Sequence, residues 1–189
     1  MKIYFKYFVV FLIGAVISLT TGLLFFEVDF DTLKQFGKIF GFVSVISYIL
    51  SLSSGIIKRL EIPIKTTALL LARQQLGILM FVSAFAHYIL SALKTIILPI
   101  LAVGGTPKLS ASFVFGFLAL LVALPMFLTS NNWVKRKIKT YWTKLHLLTH
   151  ILGWLIFGHL IFREISLISI LLLITISADV YSLVRRSKN

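Results

Sequence analysis

Cysteine is absent from this chain, and acids are scarce: six Asp and Glu stand against 19 Lys and Arg in 189 residues. Without a thiol there is no disulfide, no iron–sulfur cluster, no thiolate metal site and no thioether-linked prosthetic group. Long polar stretches are missing too. The connections between apolar runs are too short for a Rossmann or flavin-binding unit, so any soluble cofactor chemistry has to come from another chain. No internal repeat and no low-complexity segment interrupts the sequence.

What the chain has in quantity is apolar surface. Hydrophobic residues fill 59% of positions and the mean hydropathy is +1.00, well above the roughly 45–50% of soluble domains. A membrane span needs about 20 mainly apolar residues. Six such runs are present, at 7–26, 39–57, 76–101, 111–129, 145–162 and 165–184. The expectation is an all-α, polytopic membrane helix bundle of six transmembrane helices forming a single domain over 1–189. Lys2 and Lys6 before the first run resemble a signal peptide, but the run is long for one and lacks a small-x-small cleavage site, so it reads as a retained span.

The net charge of +13 raises the question of nucleic acid, and the distribution of the charges answers it. On the six-span topology, 14 Lys and Arg fall on one side, from Lys2 and Lys6 through Lys58, Arg59 and Arg73 to Lys144 and Arg185. Only Lys34, Lys38, Lys94, Lys108 and Arg163 fall on the other. This positive-inside bias puts both termini in the cytoplasm. The basic excess is therefore topology and attraction to anionic lipid, with no nucleic acid as partner. Trp133, Tyr141 and Trp142 among the lysines of 131–144 have the composition of an aromatic belt in a solvated loop, with a docking surface for an electron donor as the alternative. Pro63 breaks any helix across the mixed segment 58–75, which reads as interfacial. Asp179, near Arg185 and Arg186, reads as an interfacial carboxylate.

All four histidines lie inside apolar runs: His87 in the third, and His146, His150 and His159 in the fifth. An imidazole in hydrocarbon is costly unless something binds or hydrates it, which makes each one a functional candidate. The third and fifth spans run in the same direction. His87 follows Arg73 by 14 residues and His159 follows Lys144 by 15, so at about 1.5 Å per residue the two sit at one depth in the outer half. Two neutral imidazoles facing each other there would supply both axial ligands of a low-spin b-type haem. Ser83, Ala84, His87, Ser91 and Lys94 share a stripe whose small residues admit a flat macrocycle. Lys94 and Arg163 are candidate propionate partners; the alternative is that each anchors its helix at the outer interface.

His146 lies at the depth of Arg73, where the third span offers no histidine. His146 and His150 are four residues apart, the spacing of a helical metal pair, but no carboxylate stands where it would complete a zinc site. An ideal helix does not put His146 and His159 on one stripe, and Gly153 is the residue at which a bend would bring them together.

Arg73-Gln74-Gln75-Leu76-Gly77 followed by His87, the Leu124-Pro125 to Thr129-Ser130 end of the fourth span, and Trp142-Thr143-Lys144-Leu145-His146 followed by His159 resemble the ferric reductase-like transmembrane domain superfamily, over residues 40–165. The pattern is most similar to the haem-binding membrane subunit of the bacterial periplasmic methionine sulfoxide reductase system. The resemblance implies a bacterial or archaeal cytoplasmic membrane and a haem-binding core. His87, His146 and His159 match family haem ligands. Arg73 takes the place of a second third-span histidine, and His150 stands where a tyrosine is common, as a substitute ligand or no ligand.

The expectation is the transmembrane electron-transfer component of an oxidoreductase: a b-type cytochrome with one haem b on His87 and His159 and room for a second near His146. It would take electrons from a cytoplasmic flavoprotein to an outer-face acceptor, whether ferric iron, a quinone or a partner reductase. Flavin enters only through that partner. Two other readings stand: a proton or ion transporter using intramembrane histidines, and a membrane anchor without redox activity.

Overall fold

In the computed structural model, residues 2–25, 29–63, 67–93, 110–130, 132–163 and 165–188 are described. They form seven helices and no strand: α1 (Lys2–Phe25), α2 (Phe30–Arg59), α3 (Thr67–Ala92), α4 (Ala111–Leu128), α5 (Asn132–His146), α6 (Leu148–Ile161) and α7 (Leu167–Lys188). Five stretches are long and apolar enough to cross a membrane: Asp31–Arg59, Ala68–Ala92, Ala111–Leu128, Lys144–Ile161 and Leu167–Arg185. Tyr7–Leu23 is a shorter apolar helix. The protein is a polytopic helical membrane bundle.

The exposed surface supports that conclusion independently. Phe11 (70% exposed), Leu128 (61%) and Ile174 (59%) point outward, the reverse of the polar outer face of a water-soluble bundle. Inside, two apolar clusters form. One joins α2, α3, α4, α6 and α7 through Tyr48, Leu52, Phe81, Ala123, Leu152 and Leu172. The other fastens α1 and α3 to α2 through Val9, Phe40, Leu76 and Leu90. Helix α2 packs mainly on α3, α4 on α6, and α7 on α2 and α6.

Local chemistry explains where the helices start and stop. Asp29 caps α2 by accepting from the Thr32 amide (3.0 Å) and hydroxyl (2.6 Å), and Ser110 caps α4 by accepting from the Phe113 amide (3.2 Å), each satisfying an amide that has no partner in its own helix. Pro125 sits in the last turn of α4, where its missing N–H costs a single ladder bond.

Several sequence expectations need correction. Residues 132–144 of the basic segment are helical and form most of α5, kinked at Lys139 (φ 39°, ψ −106°). The α2–α3 connection is shorter than 58–75, because α2 runs to Arg59 and α3 begins at Thr67. The break between His146 and His159 falls at the Leu147 turn and not at Gly153. Gly153 instead sets a helix contact. A Cβ there would lie 2.5 Å from the Tyr48 hydroxyl, so its absence lets α2 and α6 close on each other. Asp179 is 2% exposed, turned inward onto Arg59 and His150 at the basic end of the bundle.

Candidate functional site

Helices α3 and α6 bring His87 and His159 together, their ring centres 5.9 Å apart and their planes at 81°. Each imidazole leans on the backbone of a neighbouring helix in the same way. The His87 Nδ1–H donates to the Gly37 carbonyl of α2 at 2.6 Å, and the His159 Nδ1–H to the Ser112 carbonyl of α4 at 2.7 Å. Carbonyls only accept, so both rings carry their proton on Nδ1 and keep the Nε2 lone pair free.

One turn further along each supporting helix stands a glycine. A Cβ on Gly41 would come within 3.0 Å of His87 Nδ1, and a Cβ on Gly116 within 2.8 Å of His159 Nδ1. The close approach therefore exists because those positions have no side chain. The Ser112 hydroxyl adds a second tie, donating to the His159 carbonyl at 2.9 Å and lying 3.2 Å from its Nδ1. Sequence reasoning missed these supporting residues. Their signal was there in the small-x-x-x-small spacing of Gly37 and Gly41 and of Ser112 and Gly116, which permits close helix contact without saying what makes it.

The two histidines line a cavity of about 730 Å³ between α2, α3, α4 and α6, within the roughly 300–1,000 Å³ of enclosed ligand sites. Its deep wall is apolar, with Met80, Ala119, Ala123, Leu152 and Ile156. Its rim carries Lys38, Ser91, Ser110, Arg163 and Ser166. Of the third-span stripe, Ala84, His87 and Ser91 face this space, whereas Ser83 is fully buried and Lys94 lies outside the described residues. Arg163 lines the cavity, and so does Lys38, which the sequence did not single out.

His146, His150 and Arg73 are not part of this lining. The His146 Nδ1–H donates to the Trp142 carbonyl at 3.0 Å, and its ring stacks on the Trp142 indole with centres 3.9 Å apart. The His150 Nδ1–H is given to Asp179 at 2.5 Å, and Asp179 is also paired with Arg59. The helical metal pair is therefore interrupted by the Leu147 turn, with each imidazole tied to a different partner. Among the described residues no group of three or more His, Asp or Glu could hold a metal ion. Arg73 sits beside Arg59 over Gly55, with the near guanidinium nitrogen of each 3.3 Å from the position of a Cβ there.

Helices long enough to cross a bilayer, with paired imidazoles lining a cavity between them, define a class: a polytopic helical membrane protein. The chain belongs to the ferric reductase like transmembrane component family, which it matches over residues 40–158. That stretch runs from the middle of α2 to the residue before His159 and includes His87 and His146. Family membership points to transmembrane electron transfer. No curated protein and no solved structure gives a match.

Proposed function

We propose that this protein is a b-type cytochrome in which His87 and His159 are the two axial ligands of one haem. The observation that carries the reading is the pairing of two imidazoles whose Nδ1 protons are both donated to backbone carbonyls, the arrangement that fixes the tautomer and ring orientation of a metal-ligating histidine.

The dimensions fit. Imidazoles bound on opposite sides of one iron have ring centres roughly 6 Å apart, against 5.9 Å here. The apolar inner wall suits a macrocycle, and Lys38 and Arg163 at the rim suit its carboxylates. Bound there, a haem would be held by His87 and His159 and would supply a one-electron couple. The chain's own contribution is to hold the rings, exclude water and present cations at the rim.

On the positive-inside topology the pair lies in the outer half of the membrane. Electrons enter from a flavin-dependent donor on the cytoplasmic side and leave to an acceptor at the outer face, ferric iron, a quinone or a partner reductase. The methionine sulfoxide reductase membrane subunit is a functional parallel we propose on the resemblance of the sequence. A second haem at the inner end receives less support, because neither His146 nor His150 lines the cavity and α3 carries Arg73 in place of a histidine at that level.

One observation favours a second reading. A proton-conducting protein would ordinarily carry a carboxylate within its spans, and Asp179, buried against His150, is one. The two are separated by visible spectra of the purified protein, oxidised and dithionite-reduced, for wild type, His87→Ala and His159→Ala. A low-spin b-type spectrum, lost or turned high-spin in either variant, establishes the cytochrome and its ligand pair. Haem-free wild type expressed with ample haem overturns it, and proton flux in liposomes then becomes the assay.

A further inference from the structure

At the end of the bundle opposite the His87–His159 pair, cations outnumber acids, with Arg59 half-buried and Arg73 exposed. Arg59 closes α2 and Arg73 lies in the second turn of α3. Their guanidinium groups converge over Gly55, each with a nitrogen 3.3 Å from where a Cβ would stand, so the two nitrogens are no more than about 7 Å apart, inside one Debye length. One carboxylate serves this place, Asp179, and it is already shared: Arg59 and the His150 Nδ1–H both bind it, and Arg59 also donates to the Ser182 hydroxyl at 2.8 Å. Among the described residues Arg73 has no acid within ion-pair distance.

Two guanidinium groups brought together against a single, doubly used carboxylate leave a positive charge uncompensated. Such a charge at the edge of a low-dielectric interior is stabilised by an anion with several acceptor oxygens, and the planar fork of arginine matches phosphate. We propose that Arg73, with Arg59 beside it, forms a binding site for a phosphate group at the basic end of the bundle. Lys58 and Lys144 at the same end favour an anionic lipid headgroup from the surrounding leaflet, and free phosphate offers the same chemistry. The site is independent of the haem reading, since neither arginine lines the cavity.

The test is the thermal unfolding of the full chain in a neutral glucoside detergent, titrated in one arm with short-chain phosphatidylglycerol and in the other with inorganic phosphate, with diacylglycerol as control. Arg73→Gln keeps much of the bulk of the side chain and leaves the Arg59–Asp179 pair intact. Gly55→Ala fills the space where the guanidiniums meet and should weaken binding likewise. Size-exclusion profile and helicity report that each variant is folded.

The expected result is a saturable rise in the wild-type melting temperature, with an apparent affinity about tenfold or more weaker in Arg73→Gln, the loss expected for a charge-assisted contact. A rise with phosphatidylglycerol alone assigns the site to lipid; a rise in both arms assigns it to any phosphate. No rise in either arm, a rise of equal size with diacylglycerol, or an unchanged affinity in Arg73→Gln overturns the proposal.

Discussion

Replacing Gly116 with alanine tests the cradle that holds His159. The new Cβ would sit 2.8 Å from Nδ1 and 3.1 Å from Cε1, whereas ordinary contact begins at 3.4 Å. The imidazole must retreat from α4 by about 0.6 Å or more, which carries the 2.7 Å bond to the Ser112 carbonyl to the edge of hydrogen-bonding range. A weakened buried hydrogen bond costs about 1 kcal/mol and overpacking about 1–3 kcal/mol. Alanine's higher helix propensity returns about 1 kcal/mol. The net expectation is destabilisation by roughly 1–3 kcal/mol, with haem retention reduced about 10–100-fold, the usual effect of losing a group that orients a ligand.

Gly77→Ala is the matched control, because its Cβ would meet nothing within 4 Å, so it should be neutral or slightly stabilising. Gly41→Ala, at 3.0 Å from His87 Nδ1, should fall between the two. Thermal unfolding in detergent and the haem-to-protein absorbance ratio read both effects. If Gly116→Ala melts and retains haem as Gly77→Ala does, the idea that missing side chains set the histidine positions is wrong.

Other expectations follow from single contacts. Asp179→Asn removes the charge shared by Arg59 and His150 and should destabilise the bundle by about 3–5 kcal/mol, the cost of leaving a buried partner uncompensated; a melting temperature equal to wild type would refute the pairing. Gly153→Ala should be strongly destabilising because its Cβ would lie 2.5 Å from the Tyr48 hydroxyl, and Tyr48→Phe alone should cost about 1 kcal/mol by losing its bond to the Thr149 carbonyl. In the double variant the steric part should largely cancel, and strict additivity in the double-mutant cycle would exclude the proposed contact. The Thr32 hydroxyl and amide hold the Asp29 carboxyl below its usual value of 3.8. Its contribution is therefore fully present above that pH and lost as pH falls through the lowered value; acid titration of helicity should show this component in wild type and not in Asp29→Ala.

The sequence carried the architecture because a bilayer imposes its demands locally. Apolar runs of the right length must be helices, and the rise of about 1.5 Å per helical residue converts residue counts into depth. That is why His87 and His159, on spans running the same way, were legible as partners before any packing was known. The same periodicity placed Ala84 and Ser91 beside His87. It also exposed the misfit between His146 and His159 on one straight helix, although the turn came at Leu147 and not at the glycine.

Depth along a span is a one-dimensional property, but lateral neighbours are not. Which helix lies beside which, and how each is rotated about its axis, follows from side-chain packing between segments far apart in the chain. Only that packing sets Gly37 and Gly41 against His87, and Ser112 and Gly116 against His159. Asp179 shows the limit most clearly. Its position six residues before Arg185 marks its level near the basic end, while the rotation of α7 against α2 turns it inward onto Arg59 and His150. Sequence alone put the imidazoles in apolar spans, with His87 and His159 at matching positions along them. The tertiary structure decided which backbone carbonyls take their protons, because those carbonyls belong to other helices.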